Sequence, residues 1–166
     1  LLMVRPGSQQ GPGNTVQGAQ GTAQSLSMSD VSILKKNVTS IEKIAPEASV
    51  GRKQVTSQGK NANTSASGVT AEYASVRNIT VAHGAFFTAV QDTSLAKVAF
   101  IGPDVNTELF GENTNSVGKK IRIGSVDFTV IGIATVRGST GFGSSDDFIY
   151  IPLSTAQQFF SGNKSL

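Results

Sequence analysis

The chain has 166 residues, a formal net charge of +3 and no cysteine. The lack of cysteine excludes a disulfide framework, a thiolate metal site and a cysteine nucleophile. The length suits one domain or two small subdomains, and the basic residues are scattered, which argues against a nucleic-acid groove. No apolar run approaches the ~20 residues that a membrane-spanning helix needs. With an apolar fraction of 38% and 18 glycines, the composition indicates a loop-rich protein with strands.

The N-terminal segment contains little that a core could bury. LLMVRP is a short apolar run that predicts a first strand, and residues 7–25, rich in Gly, Gln and Ser, predict a flexible loop. The following SMSDVSILKKN predicts a short helix that Ser27 or Ser29 caps. Its apolar side consists of Val31, Leu34 and Val38.

The middle of the chain gives weaker patterns. Loose alternation after Pro46 predicts a strand over about residues 48–57. Residues 58–67, QGKNANTSAS, predict a turn or loop, because they contain Gly59 and two asparagines. SGVTAEYASVRNITVAHGAFF then predicts one or two strands. The expected anchors of these strands are Val69, Tyr73 and Val76.

Residues 97–160 carry the most specific signals. Pro103 is placed as a first helical residue and Gly111 as a stop, which predicts a short helix between them. The two-residue loop Gly124-Ser125 predicts a hairpin of strands 119–123 and 126–130. In that register Ile121 opposes Phe128, Arg122 opposes Asp127, and Ile123 opposes Val126.

The last segment, IPLSTAQQFF, predicts a second helix. Ser154 and Gln157 have the spacing of a capping box, in which each side chain satisfies a backbone N–H of the first turn. Phe159 and Phe160 are the apolar residues expected to be buried on this helix.

Catalytic chemistry finds little support in the sequence. His83 is the only histidine, it stands beside a turn glycine, and no G-x-S-x-G pattern accompanies it. A zinc site lacks ligand spacing, and residues 115–120 lack the spacing of a phosphate loop and the helix that must follow one. We therefore expect neither catalytic residues nor a cofactor or metal.

The loop GSTGFGSSDD, residues 138–147, is the most informative candidate site. Its glycines and paired aspartates do not supply the ligand count of a known anion or cation site. A phenylalanine flanked by glycines predicts a contact with a partner, and the alternative is a flexible surface turn that leads into a buried strand. The predicted partner-contact residues are Arg137, Phe142, Asp146 and Asp147.

Several of these motifs together resemble one family. KVAFIGPDVNTELFG, VGKKIRIGSVDFTVIGI, the glycine-rich loop and IYIPLSTAQQFF are similar in order and spacing to the extracytoplasmic core domain of MacB-type ABC-transporter permeases. The resemblance implies an α+β fold: a porter-like βαβ part, placed at residues 1–76, with a small mixed α/β subdomain inserted, placed at 77–166. It also implies a return into the porter part after Leu166, without which edge strands would be open to pairing between chains.

The resemblance also implies a function. Such a domain faces outside the cytoplasm on a membrane protein and couples ATP-driven motion to a membrane-fusion adaptor protein or to an exported peptide, toxin or antibiotic. Its implied partners are that adaptor, a separate or fused ATP-binding subunit and a second permease copy in the membrane. The Gln-, Asn- and Ser-rich loops favour a Gram-positive owner. Two alternatives are a free-standing surface module that binds protein or carbohydrate and a small hydrolase that uses His83.

Overall fold

The computed structural model describes residues 2–4, 26–38, 42–138 and 145–160. Within these residues the chain forms five helices and seven strands. In chain order they are α1 (Met28–Asn37), β1 (Glu47–Ser57), β2 (Lys60–Val69), α2 (Tyr73–Val76), β3 (Val81–Gly84), α3 (Ala89–Thr93), β4 (Val98–Ile101), α4 (Pro103–Phe110), β5 (Lys120–Ile123), β6 (Val126–Ala134), β7 (Phe148–Pro152) and α5 (Leu153–Phe159).

All seven strands belong to one sheet, whose order is β3-β6-β4-β7-β2-β1-β5. Strand β5 also pairs with β6, so the pairings of six strands close into a ring and β3 is attached to its outside. Two pairs are parallel, β2 with β7 and β4 with β6, and the others are antiparallel. The predicted mixed α+β fold is confirmed.

Each strand of the ring contributes apolar side chains to one core. Val55 of β1, Ile123 of β5 and Ile149 of β7 have no exposed surface, and Phe128 of β6 is 1% exposed. From the helices, α4 and α5 add the buried residues Val105, Leu109 and Ala156. Burial at about 25 cal/mol per Å² of apolar surface makes this shared core the main source of stability.

The long hairpin β1–β2 corrects one prediction. The strand predicted at residues 48–57 is confirmed, but residues 58–67 are a loop only at Gln58 and Gly59, and the rest is strand β2. Between residues 61 and 68 of β2 the buried positions are filled by Ala, Thr and Gly, and the exposed positions by Asn and Ser. Buried and exposed residues do alternate along β2. The sequence does not reveal this alternation, because Ala and Thr are only weakly apolar and their neighbours are all polar.

The predicted hairpin β5–β6 is confirmed in its register. Ile121 pairs with Phe128, Arg122 with Asp127, and Ile123 with Val126. Gly124 has φ +59°, which the first position of a type II′ turn requires and glycine adopts without strain. On the exposed face the Arg122 Nε donates to Asp127 Oδ1 at 2.7 Å.

Helix α4 is confirmed and α5 is only partly so. Pro103 begins α4 and Gly111 follows its last residue. Helix α5 begins at Leu153, directly after β7, so Ser154 lies inside the first turn and cannot cap it. Its N–H donates instead to Asp92 Oδ1 at 2.8 Å, and Phe159 is 41% exposed rather than buried.

The first part of the chain differs most from expectation. Helix α1 forms, with the Ser27 N–H bound to the Asp30 carboxyl, but its predicted apolar side is not buried. Residues 2–4 form no strand, and the loop predicted at 7–25 lies outside the described residues.

The segment after β2 also departs from the predicted one or two strands. Tyr73 lies in the short helix α2, and only Val81–Gly84 is a strand. Strands from both sides of the division predicted at Val76 pair within the same sheet, and the division itself stays a prediction.

Substitution of Gly68 tests how tightly α5 packs on β2. A Cβ at Gly68 would lie 2.3 Å from the Ala156 Cβ, so Gly68→Ala should lower the free energy of unfolding by about 1–3 kcal/mol. Ala156→Gly alone should cost about 1 kcal/mol or more through helix propensity. In urea unfolding the double variant should lose less than the sum of the two losses, whereas strict additivity would contradict this packing.

The hairpin ion pair makes stability depend on pH. The hydrogen bond from Arg122 lowers the pKa of Asp127 below its ordinary value of 3.8. A carboxyl with a lowered folded-state pKa stabilises the fold above its unfolded pKa and loses that contribution as the pH falls through the folded one. The urea midpoint of wild type should therefore exceed that of Asp127→Asn above about pH 5, and the difference should vanish toward about pH 2. A difference between the two urea midpoints that does not change with pH would contradict this prediction.

Candidate functional site

The predicted contact loop leaves the sheet at the end of β6 and returns at the start of β7. Asp146 closes the base of this loop, and its side chain is buried, with only 3% of the residue exposed. Its carboxyl oxygens accept the N–H of Arg137 at 3.0 and 3.1 Å and the N–H of Gly138 at 3.0 Å. Asp146 therefore holds the two ends of the loop together.

Arg137 joins the loop base to helix α2. Its Nη2 donates to the carbonyl oxygen of Arg77 at 3.3 Å and to that of Asn78. These carbonyls lie just beyond the C-terminus of α2, where a helix leaves acceptors unpaired and favours a cation. The Arg137 guanidinium thus provides hydrogen bonds to the carbonyl groups at the end of α2, while Arg137 as a whole stays exposed.

Asp147 faces the other way, toward the long hairpin. Its carboxyl accepts from Arg52 Nη2 of β1 at 3.2 Å, and the two side chains are 30% and 67% exposed. The structure therefore brings together three of the four predicted residues, Arg137, Asp146 and Asp147, at one end of the sheet. Phe142 lies outside the described residues.

An aromatic cluster around Tyr73 and Tyr150 packs next to this end of the sheet. Tyr73 donates to Glu47 Oε2 at 2.8 Å, and Arg77 lies 3.7 Å from the same carboxyl and over the Tyr73 ring. Burial first, then the neighbouring Tyr150 and the bond to Glu47, raise the pKa of Tyr73, and burial also raises that of Tyr150. The hydrogen bond from Tyr73 to Glu47 ties α2 to β1, so this cluster positions α2 against the sheet.

The residues that bind the loop base could not be found from the sequence. Arg52 lies 95 positions from Asp147, and Asn78 lies 59 positions from Arg137, so no local pattern joins them. An aspartate that ends a Gly- and Ser-rich loop is itself a signal for carboxyl-to-backbone bonding. That signal identifies the type of contact but not the residues that donate.

His83 stands apart from any reactive arrangement. It lies on the edge strand β3, paired with Ile133 of β6, and it is exposed. In the described ranges, no three His, Asp or Glu side chains lie close enough together to hold a metal ion.

The fold is shared with extracytoplasmic domains of ABC transporters. The extracellular domain of the noncanonic ABC-type transporter YknZ from Gram-positive bacteria superposes with a TM-score of 0.72 at 20% identity, covering 85% of this chain and 69% of that one. The periplasmic region of MacB from Actinobacillus actinomycetemcomitans gives 0.73 at 20% identity, covering 85% and 61%. At this identity the likeness establishes the fold alone.

The sequence comparison establishes the family. A family model described as the MacB-like periplasmic core domain matches residues 1–165, and the chain belongs to this family. The macrolide export ATP-binding/permease protein MacB of Bdellovibrio bacteriovorus is 36% identical over 156 residues, which is 94% of this chain and 23% of that protein. MacB of Rhodospirillum rubrum is 33% identical over 167 residues, 100% of this chain and 25% of that protein.

The predicted resemblance is thereby confirmed: this is a MacB-like periplasmic core domain of an ABC-transporter permease. It spans about a quarter of the length of these curated relatives. No helix among the described residues is long and apolar enough to cross a membrane. The expected preference for a Gram-positive owner is not supported, because the similar structures include both an extracellular domain from Gram-positive bacteria and a periplasmic region.

Substitutions of Asp146 and Asp147 should distinguish the structural role of the first from the surface ion pair of the second. Asp146→Ala leaves the N–H groups of Arg137 and Gly138 without their buried acceptor, which should cost about 2–4 kcal/mol of unfolding free energy. Asp147→Ala, the matched control, removes an exposed ion pair and should cost less than about 1 kcal/mol. Chemical denaturation measures both, and equal losses would contradict the assignment.

Proposed function

We propose that the domain is a non-catalytic coupling body of its permease. In this proposal it passes motion driven by ATP hydrolysis in a separate ATP-binding part to a membrane-fusion adaptor or to the exported substrate outside the cytoplasm. The observation that supports it is the closed ring of six strands around one core, because closure of a sheet fixes the register of its strands relative to one another. Force applied at one end then displaces the whole body.

The predicted contact loop, residues 138–147, is the proposed contact of this domain with the adaptor. Its base is fixed at three places: Asp146 holds both ends, Arg137 holds α2, and Asp147 holds β1. In this proposal the loop base moves with the sheet, because its bonds join it to β1 and α2. Arg137 and Asp147 remain exposed enough to reach a partner, and arginine is enriched among residues that dominate interface energy.

The relatives suggest the class of cargo. Similar proteins are named as exporters of macrolides and, in the case of PvdT of Pseudomonas entomophila, of pyoverdine. PvdT is 39% identical over 85 residues, which is 51% of this chain and 13% of that protein. We propose export of an amphipathic compound, peptide or antibiotic by the parent permease. The permease is proposed to act as a homodimer through its membrane part.

The proposal is tested on the whole transporter, reconstituted in lipid nanodiscs with its membrane-fusion adaptor. Arg137→Ala should lower adaptor affinity roughly tenfold, together with the adaptor-dependent increase in ATP hydrolysis. Arg122→Ala is the matched control, because it also removes an exposed arginine whose guanidinium has a partner within the fold, here Asp127 of the β5–β6 hairpin. Biolayer interferometry and phosphate release measure the two effects.

Three outcomes would count against the proposal. If the wild-type transporter does not bind the adaptor and its ATP hydrolysis does not respond to it, the coupling function is wrong. If Arg137→Ala and Arg122→Ala behave alike, the loop is not the contact. A specific signal on a glycan array without adaptor binding would favour a surface-binding module instead.

A further inference from the structure

The ring of six strands has two short junctions. In the described part of the chain, β1 pairs with β5 at Val55–Ile123 and Thr56–Arg122, and β4 also pairs with β7 over two residue pairs. Each of the four other junctions of the ring is at least four residue pairs long. If both short junctions parted, the ring would divide into β7-β2-β1 and β4-β6-β5. Closure of the ring therefore depends on these two places.

The β4–β7 junction is reinforced by its surroundings. The Gly102 N–H, directly after β4, donates to the Phe148 carbonyl of β7 at 2.9 Å. A Cβ at Gly102 would collide with the Asp146 carbonyl oxygen, so the two segments are in close contact. The Asp146 carboxyl also holds together the two ends of the loop that connects β6 to β7. Parting this junction would therefore break the loop base as well.

The β1–β5 junction, which we call the seam, ends in a cleft. Pairing stops at Thr56–Arg122, although β1 continues to Ser57 and β5 begins at Lys120. At that point a cleft of about 240 Å³ lies between the β1–β2 turn and β5. Water in the cleft can compete for the backbone groups where the pairing stops, so the seam is weakest at this end.

Ser57 bridges the seam at this weak end. Its hydroxyl donates to the Lys120 carbonyl oxygen at 2.8 Å, and the residue is only 6% exposed. Ser57 is itself held in place by its pairing with Lys60 across the β1–β2 turn. The neighbouring seam residues Val55 and Ile123 have no exposed surface, so opening of the seam would admit water to the core. The side-chain bond thus extends closure beyond the last backbone pair.

From these contacts we infer that the ring opens first at the seam, and that Ser57 is a positioning residue that keeps the ring closed during coupling. The inference rests on the proposed coupling function, since the part of the ring with β1 and the part with β5 move together only while the seam is closed. The proposed adaptor contact lies at the other short junction, beside Asp146. Loss of the Ser57 bond therefore uncouples the domain without releasing the adaptor.

Hydrogen exchange in the whole transporter, reconstituted in lipid nanodiscs, tests where the ring opens. The Gly124 N–H binds the Gln54 carbonyl across the seam at 3.0 Å, and the Gly102 N–H binds the Phe148 carbonyl at the other short junction. In wild type the Gly124 amide should be less protected than the Gly102 amide. Ser57→Ala should lower protection at Gly124 roughly tenfold, as expected for the loss of one hydrogen bond, and leave Gly102 unchanged. Equal or greater protection at Gly124 in wild type, or no effect of Ser57→Ala, would overturn the inference.

ATP hydrolysis with and without the membrane-fusion adaptor tests the role in coupling. Ser57→Ala should reduce the adaptor-dependent increase severalfold, while adaptor affinity stays at the wild-type value. Thr155→Val is the matched control, because it also removes a hydroxyl bond to a backbone carbonyl, that of Ala96, away from the seam. It should leave the increase unchanged. An equal loss in both variants, or none in Ser57→Ala, would count against a specific role of the seam.

A reversible disulfide separates closure of the seam from loss of the fold. This chain has no cysteine, and Thr56 and Arg122 are cross-strand partners at a Cα spacing that a disulfide spans. In a transporter otherwise free of cysteine, oxidised Thr56→Cys with Arg122→Cys should restore coupling to Ser57→Ala, and dithiothreitol should abolish it again. Gln54→Cys with Asn63→Cys, across β1–β2, is the control pair and should restore nothing.

The outcomes distinguish the inference from the proposed function. If the seam disulfide forms but does not restore coupling, Ser57 does not act by closing the ring and the inference is wrong. If wild type responds to the adaptor and Ser57→Ala responds equally, coupling stands and the inference is wrong. If wild type does not respond, the coupling function is wrong, and hydrogen exchange alone decides where the ring opens.

Discussion

The pairing of β5 with two strands at once is the constraint on which this structure depends. Four residues of β5 pair with β6 through the Gly124-Ser125 turn, and its Ile123 and Arg122 also pair with Val55 and Thr56 of β1. The Gly124 N–H adds a bond to the Gln54 carbonyl at 3.0 Å. Without this second pairing the ring would be open between β1 and β5, and the core that all six strands share would be exposed at that opening.

Closure also limits where the sheet can meet another chain. Among the residues that the structure describes, strand β3 is bound only to β6, and β1 has no partner on its outer edge before residue 54. Both stretches carry a register shift, between Ser49 and Gly51 in β1 and between Val81 and His83 in β3. Irregular edges of this kind hinder strand addition between chains. Side chains on loops and helices are therefore the better candidates for partner contact than exposed backbone.

The proposed contact region lies at the base of the loop between β6 and β7. The loop base is polar and tied to the sheet by Asp146, Arg137 and Asp147, so a partner bound there would move with the strands.

The sequence by itself determined the local elements that have strong punctuation: the β5–β6 register from Gly124-Ser125 and alternating apolar residues, and α4 from Pro103 and Gly111. It also determined the family. Only the tertiary structure decided that β2 is a strand, that Asp92 rather than Ser154 serves the start of α5, and that Asp146 is buried at the loop base. The physical reason is that turn and cap signals act within a few residues, whereas ring closure and the bonds of Asp147 and Arg137 join positions 59 to 95 residues apart.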